Sequence, residues 1–284
     1  MKIKNQIRLS NFEISNKKSF VIIGGINVIE SRELAFETAK HFKELCEKYK
    51  IPFIFKASFD KANRSSLDSY RGPGISKGLD ILNDIKIKYK IPILTDVHSP
   101  DQVYQASEIC DIIQLPAFLA RQTDLVKAMA SSSCIVNIKK PQFLSPYQII
   151  NVINKFLENG NNNLLICERG TCFGYDNLVV DMLGFQVIKN QCNDIPIIFD
   201  VTHSLQCREP ASSISGGRRS QIFGLARAAI ATRIAGLFIE SHPQPEKALC
   251  DGPSALPLDK LDDLLSQLKQ LDSLVKSLPI IEID

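Results

Sequence analysis

The chain has 284 residues, 44% hydrophobic and 23% charged, with 34 Lys and Arg against 31 Asp and Glu for a net charge of +3. That is ordinary for a globular protein with a full core, and a charge so near balance excludes the concentrated basic face that nucleic-acid binding requires. No stretch approaches the roughly 18 apolar residues of a membrane span, and the polar start "MKIKNQIRLSNFEISNKK" reads as no leader.

In chain order, "IRLSNFEISNKKSF" (7–20) holds two short β-rich stretches around polar residues, which predicts a hairpin that closes the bottom of whatever follows. Eight short apolar runs come next: "FVIIGGIN" (20–27), "PFIFKAS" (52–58), "PILTDVH" (92–98), "IIQLPAF" (112–118), "CIVNIKK" (134–140), "LLICERG" (164–170), "PIIFDVTH" (196–203) and "GLFIESH" (236–242). Each has the length of a buried strand, and they are apolar throughout rather than alternating, as strands covered on both faces are. Amphipathic segments separate them. "SRELAFETAKHFKELCEKYK" opens with Ser31 as N-cap and Glu33 in the first turn. "KIKYK" (86–90) reads as a basic helix end, and "SPYQIINVINKFLENG" as a helix capped by Ser145, with Pro146 first and Gly160 as the stop. "LDKLDDLLSQLKQLDSLVKSL" spaces its leucines by three and four.

Eight βα units predict a TIM (β/α)8 barrel, which typically takes about 250 residues. The expected organisation is one domain over 1–284, with a hairpin extension at 1–19 and the barrel at 20–284. An open doubly wound sheet is the alternative, but its glycine fingerprint is missing from "GGINVIES". Eight cysteines without a CxxC pair read as reduced thiols that fill the core.

Barrel sites lie at the C-terminal ends of the strands. Those ends supply Asn27 and Glu30, then Lys56, Ser58, Asp60 and Lys61, then Asp96 and His98, then Gln114. The remaining four supply Lys139 and Lys140, Glu168 and Arg169, Asp200 and His203, and Glu240 and His242. Lys56, Lys61, Lys139 and Arg169 converge, with Arg64 and Arg121 just beyond. Such a cluster repels itself unless an anion binds, and phosphate or carboxylate suits it. Pairing with neighbouring carboxylates is the competing explanation. Of the histidines, His41 belongs to a helix, whereas His98, His203 and His242 end strands; with Glu240 and Asp251 they have the chemistry for a divalent metal, although no compact metal motif is present.

"FKASFDKANRSSLDSYRGPG" (55–74) resembles the signature of the 3-deoxy-D-manno-octulosonate 8-phosphate synthases. "DIIQLPAFLARQTDLV" (111–126), "NIKKPQFLSP" (137–146), "FGYDNLVVDMLGF" (173–185), "IFDVTHSLQ" (198–206), "SGGRR" (215–219) and "CDGPSALPL" (250–258) continue the resemblance to the last helix. The related DAHP synthases carry a Lys-Pro-Arg-Thr stretch where this chain has "KANRSS".

The resemblance implies condensation of phosphoenolpyruvate with arabinose 5-phosphate in a cytoplasmic homotetramer on the route to lipopolysaccharide. By the same resemblance, Lys61, Lys139, Arg169 and His203 hold phosphoenolpyruvate beside Lys56, Gln114 and Ala117, with Lys139 also placed as an acid. Asn63, Arg64 and Ser65 hold the sugar phosphate, Arg121 reaches a neighbouring subunit's site, and Asp96 and Asp251 face hydroxyls or the attacking water. One branch of the family binds a metal through a cysteine, a histidine, a glutamate and an aspartate. The last three match His203, Glu240 and Asp251, but the first position is Asn27. The expectation is therefore no metal and no cofactor. A related synthase for another aldose, of the DAHP or sialic-acid type, and a non-catalytic phosphosugar-binding barrel are the rival readings.

Overall fold

A computed structural model describes residues 1–207 and 216–281; Ser215 of the "SGGRR" stretch and the last three residues of the expected barrel range lie outside the described residues. The barrel strands are β1 (Val21–Val28), β2 (Phe53–Ser58), β3 (Ile93–Asp96), β4 (Ile112–Leu115), β5 (Ile135–Lys139), β6 (Leu164–Glu168), β7 (Ile197–Asp200) and β8 (Gly236–His242). Neighbours in sequence pair in parallel, and β8 pairs with both β7 (Ile198 opposite Gly236) and β1 (Gly236 opposite Val21), which closes the ring. The helices α1 (Arg32–Lys48), α2 (Ile75–Tyr89), α3 (Pro100–Ser107), α4 (Thr123–Ala130), α5 (Ile149–Glu158), α6 (Met182–Gln191), α7 (Ile222–Ala231) and α8 (Leu261–Ser277) follow the strands in turn. The eight predicted strands and the barrel class are thus correct.

The core has two layers. One packs helices against the outside of the barrel, through Phe42, Phe55, Phe156, Phe185 and Phe199 among others. The other fills the interior with Val21, Ile23, Ile54, Leu94, Ile112, Leu165, Ile198 and Phe238. Ile7, Leu9 and Ile14 of the antiparallel hairpin Ile7–Leu9/Phe12–Ile14 join this inner layer, so the hairpin plugs the bottom as its sequence predicts. Buried Asn16 fastens it there: its Nδ2 donates to Ile195 O at 2.8 Å and to Asp194 Oδ1 at 2.9 Å, and its Oδ1 accepts from Ile197 N at 3.0 Å.

Ser31 caps α1 as expected, its hydroxyl accepting from Leu34 N at 3.1 Å. Ser145 does not cap α5. Gln148 N bonds Ser145 O at 3.0 Å, and Gln148 Oε1 accepts from Ser145 N at 3.3 Å. That reciprocal pair closes a turn over Pro146 and Tyr147, and the helix starts only at Ile149. Gly160, at φ +91°, ends it in the left-handed region that glycine enters without strain.

Candidate active site

The C-terminal ends of the strands surround a cavity of about 540 Å³. Among the sequence-predicted residues, Lys56, Lys61, Asn63, Arg64, Ser65, Asp96, Gln114, Ala117, Lys139, Arg169, His203 and Asp251 line it. Asn27 and Glu240 are buried but do not reach the cavity wall. Arg121 is exposed at the start of the segment leading into α4 and does not line its own chain's cavity.

Local backbone features aim these groups. The register of β1 on β2 shifts between Gly25 and Val28, which face Lys56 and Ser58, so β1 carries one extra residue. That bulge contains Asn27 and re-aims it, as bulges do. Gly25 permits the close approach, since a Cβ there would lie 2.0 Å from Lys56 O. Asp251 is held at φ +50°, a conformation that aspartate tolerates better than most residues. Asn137 on β5 donates to Gln114 Oε1 at 3.0 Å and so fixes the Gln114 amide.

The cations are less naked than the sequence suggests. Lys56 is buried, and its ammonium donates to Glu240 Oε1 at 2.8 Å, Ser58 Oγ at 3.0 Å and Asn27 O at 3.1 Å. All three protons are used, so Lys56 braces Asn27 and Glu240 instead of offering a free charge. The expectation of four unpaired cations is corrected accordingly: Lys139 also has a partner, donating to Asp200 Oδ2, and it lies over the Phe238 ring at 3.2 Å. Lys61 sits 4.0 Å from Glu240. Arg64 contacts Cys250 Sγ and Leu249 O, and Arg169 donates to Gln206 Oε1 at 2.7 Å and His203 O at 3.1 Å; neither guanidinium has a carboxylate partner among the described residues. Among the described residues, Arg64 and Arg169 therefore line the cavity without a carboxylate partner, and Lys61 has only the long contact to Glu240.

Asp200 is one of the strand-end residues to which sequence reasoning gave no role. It is fully buried and accepts from Thr202 Oγ1 at 3.1 Å, His203 N at 2.9 Å, His203 Nδ1 at 2.6 Å and Lys139. Burial opposes its ionisation, but His203 and Lys139 outweigh that and hold its carboxyl far below the usual range. The only sequence signal was its place at the end of "IIFD". Gln142 was missed altogether: it lines the cavity, and its buried Oε1 has no partner among the described residues.

His203 Nε2 lies 3.3 Å from Glu240 Oε2 and 3.9 Å from Asp251 Oδ2. Donor atoms of these three residues fall within 4.8 Å of one another, a spacing that admits a metal ion. The fourth position does not complete the set. Asn27 turns its Nδ2 towards Asp251 and donates to Oδ2 at 2.7 Å, filling with a hydrogen bond the carboxylate oxygen that a shared ion would take. A neutral amide is also a poor ligand for borderline metals. The four residues thus fit a hydrogen-bonded cluster better than a metal centre. Burial opposes the negative charge of Asp251, but His203, Lys61 and the Asn27 bond hold its carboxyl below its ordinary range. For Lys61 burial opposes the charge, while Glu240 and Asp96 outweigh it and keep the ammonium protonated.

Fold and site together define a class: a (β/α)8 barrel with a cation-lined cavity at its strand ends. A family model described as the DAHP synthetase I family matches residues 2–277. The chain belongs to that family. It is 62% identical over 277 residues to the 2-dehydro-3-deoxyphosphooctonate aldolase of Prochlorococcus marinus, with 98% of each chain covered. To the protein of the same name from Aliivibrio fischeri it is 55% identical over 283 residues, covering 100% of both. The Pseudomonas putida protein of that name is 59% identical over 269 residues, 95% of this chain and 96% of the other.

Proposed function

We propose that the chain condenses phosphoenolpyruvate with arabinose 5-phosphate and water, giving 3-deoxy-D-manno-octulosonate 8-phosphate and inorganic phosphate. That product is the 2-dehydro-3-deoxyphosphooctonate for which its relatives, matched end to end at 55% to 62% identity, are named. The single structural observation that carries the reading is the convergence of Lys61, Arg64, Lys139 and Arg169 on one cavity. Both substrates are phosphorylated and one also bears a carboxylate. Two anions need two sets of cations, and fixing their mutual geometry supplies much of the rate through orientation and charge stabilisation.

C3 of the enol forms a bond to the aldehyde carbon, whose oxygen takes a proton, and positive character develops at C2. Water adds there and loses its proton, after which the C2–O bond to phosphate breaks and phosphate leaves. In this reading Lys61, Lys139 and Arg169 hold the enol's anionic groups, with Lys139, bonded to Asp200, placed to supply a proton. His203 is oriented by Asp200 through Nδ1, which turns Nε2 towards Glu240 and Asp251. Asp251 and Asp96 face the sugar hydroxyls or the attacking water. Asn63, Arg64 and Ser65 take the sugar phosphate, which would draw Arg64 off Leu249 and Cys250. Lys56 serves by bracing Glu240 and Asn27.

The reaction is metal-independent in this reading, with the Asn27–Asp251 hydrogen bond holding what a shared ion would otherwise hold. Arg121, exposed and outside its own cavity, completes the site of a neighbouring subunit in a cytoplasmic homotetramer. No helix among the described residues is long and apolar enough to cross a membrane.

Phosphate release from phosphoenolpyruvate that requires arabinose 5-phosphate tests the activity. Equal or faster release with erythrose 4-phosphate would instead make the chain a DAHP synthase, and no release with either aldose would leave a binding barrel. Exhaustive treatment with EDTA or dipicolinate leaves activity intact if the reaction needs no metal; a loss reversed by Mn²⁺ or Zn²⁺ contradicts that.

A further inference from the structure

Lys140 directly follows β5 and Glu168 ends β6, yet neither lines the cavity. Lys140 is completely buried. It donates to Leu144 O at 3.0 Å, Pro141 O at 3.2 Å and Thr171 Oγ1 at 3.3 Å, and lies 3.5 Å from Glu168 Oε2. Glu168 is 4% exposed. Its other oxygen, Oε1, accepts from Arg169 N at 2.9 Å and Gly170 N at 2.7 Å. Two backbone bonds run alongside: Lys140 N to Cys167 O at 2.8 Å, and Cys172 N to Gln142 O at 2.9 Å.

A buried ion pair is weak evidence for stability, because desolvating both charges offsets most of their attraction. Here every member has a second task. Glu168 fixes the first two amides of the loop after β6, where Gly170 turns at φ +86°. Lys140 gathers carbonyls of the loop after β5 and one hydroxyl of the other loop. The pair therefore couples two loops, and the side chains that leave those loops next to it are Lys139, Arg169 and Gln142. All three line the cavity. By contrast, among the described residues the pair has no hydrogen bond or ion pair with Asn63, Arg64 or Ser65, which come from the loop after β2.

The geometry points to Lys140 and Glu168 as positioning residues: a buried clasp that sets the separation of Lys139 and Arg169 and so the fit of the phosphorylated enol acid. The inference rests on the reading in which those two cations hold that substrate. It assigns no contact with substrate to either clasp residue. It also explains why the second lysine of "KKP" stands in a place where a lysine is costly to bury.

The test is a kinetic split between the two substrates. In Lys140→Met/Glu168→Gln no unpaired charge remains, and the glutamine oxygen still accepts from both amides, so the fold survives with little change in melting temperature. KM for phosphoenolpyruvate is expected to rise about tenfold, since displacements near 1 Å cost up to about a hundredfold, while KM for the aldose phosphate stays within about twofold of the parent. Each single substitution strands one charge, so the cycle of both singles and the double is non-additive. If the double variant fails to fold, Thr171→Val removes one arm of the clasp without touching either charge, and KM for phosphoenolpyruvate alone should rise about threefold, roughly the worth of one hydrogen bond. Unmoved KM values per folded molecule, or equal increases for both substrates, overturn the clasp. Parent protein is assayed first: failure there to release phosphate condemns the functional reading, whereas normal parent turnover with no split condemns only the clasp.

Discussion

Replacing Lys139 by Met removes a charge and little else. Met keeps the unbranched stem that packs against Phe238, so the cavity wall retains its shape. Lys139 is 5% exposed, which places its ammonium where water screens it poorly. Loss of a buried, charged contact to a bound anion costs about 2–5 kcal/mol, or roughly 30- to 5,000-fold in kcat/KM. Stability should suffer less than for most broken buried pairs, which lose about 3–5 kcal/mol. Asp200 is not stranded by the change, because Thr202 Oγ1, His203 N and His203 Nδ1 still donate to it. The expected phenotype is therefore a folded protein with a modestly lowered melting temperature and a collapsed rate. Continuous phosphate release measures the rate, and circular dichroism follows the melt. Activity within about threefold of the parent, under 1 kcal/mol, refutes the role given to Lys139. So does a loss of rate that merely tracks the unfolded fraction.

Further outcomes follow from the same geometry. Asn27→Cys puts a thiolate beside His203, Glu240 and Asp251, and should bind about one equivalent of Zn²⁺ that survives gel filtration, as measured by elemental analysis; no bound metal argues against the cluster's geometry. Arg121→Ala and Lys139→Met subunits, each inactive alone, should regain activity when mixed and reassembled if Arg121 serves a neighbouring site, and sedimentation should give a tetramer; an active monomer rules this out. Burial opposes ionisation of Asp96, but Lys56, His98 and Lys61 hold its carboxyl well below 3.8 in the folded chain. Its stabilising contribution is then complete above its unfolded value and lost as pH falls towards the folded one, so Asp96→Asn should shrink the loss of stability that sets in below about pH 4. Asn16→Ala should cost about 2–4 kcal/mol through several lost hydrogen bonds at about 1 kcal/mol each and the unpaired Ile197 N–H, with kcat unchanged, because the hairpin lies at the far end of the barrel from the chemistry.

What was legible in the sequence was what periodicity and chain order determine. Buried parallel strands leave unbroken apolar runs, so all eight could be read, and barrel architecture then put the functional groups at their ends. Partnership between those ends was not legible. Lys56, Lys139 and Lys140 look alike in sequence, each a lysine closing a strand. Folded, one braces Glu240 and Asn27, one stands over Phe238 beside Asp200, and one turns outward to Leu144 and Thr171. Strand alternation accounts for Lys139 and Lys140 facing opposite ways. The different tasks of Lys56 and Lys139 depend on carboxylates more than one hundred and eighty and more than sixty positions away in the chain. The cap at Ser145 failed for a local reason: Gln148 could bond Ser145 in both directions, so a turn outcompeted the first helical turn. Asn27 shows how far a single position can reach. The bulge that follows Gly25 aims its amide. The resulting bond to the Asp251 carboxylate ties β1 to the loop after β8, adding a side-chain crosslink to the backbone ladder that already pairs the first and last strands.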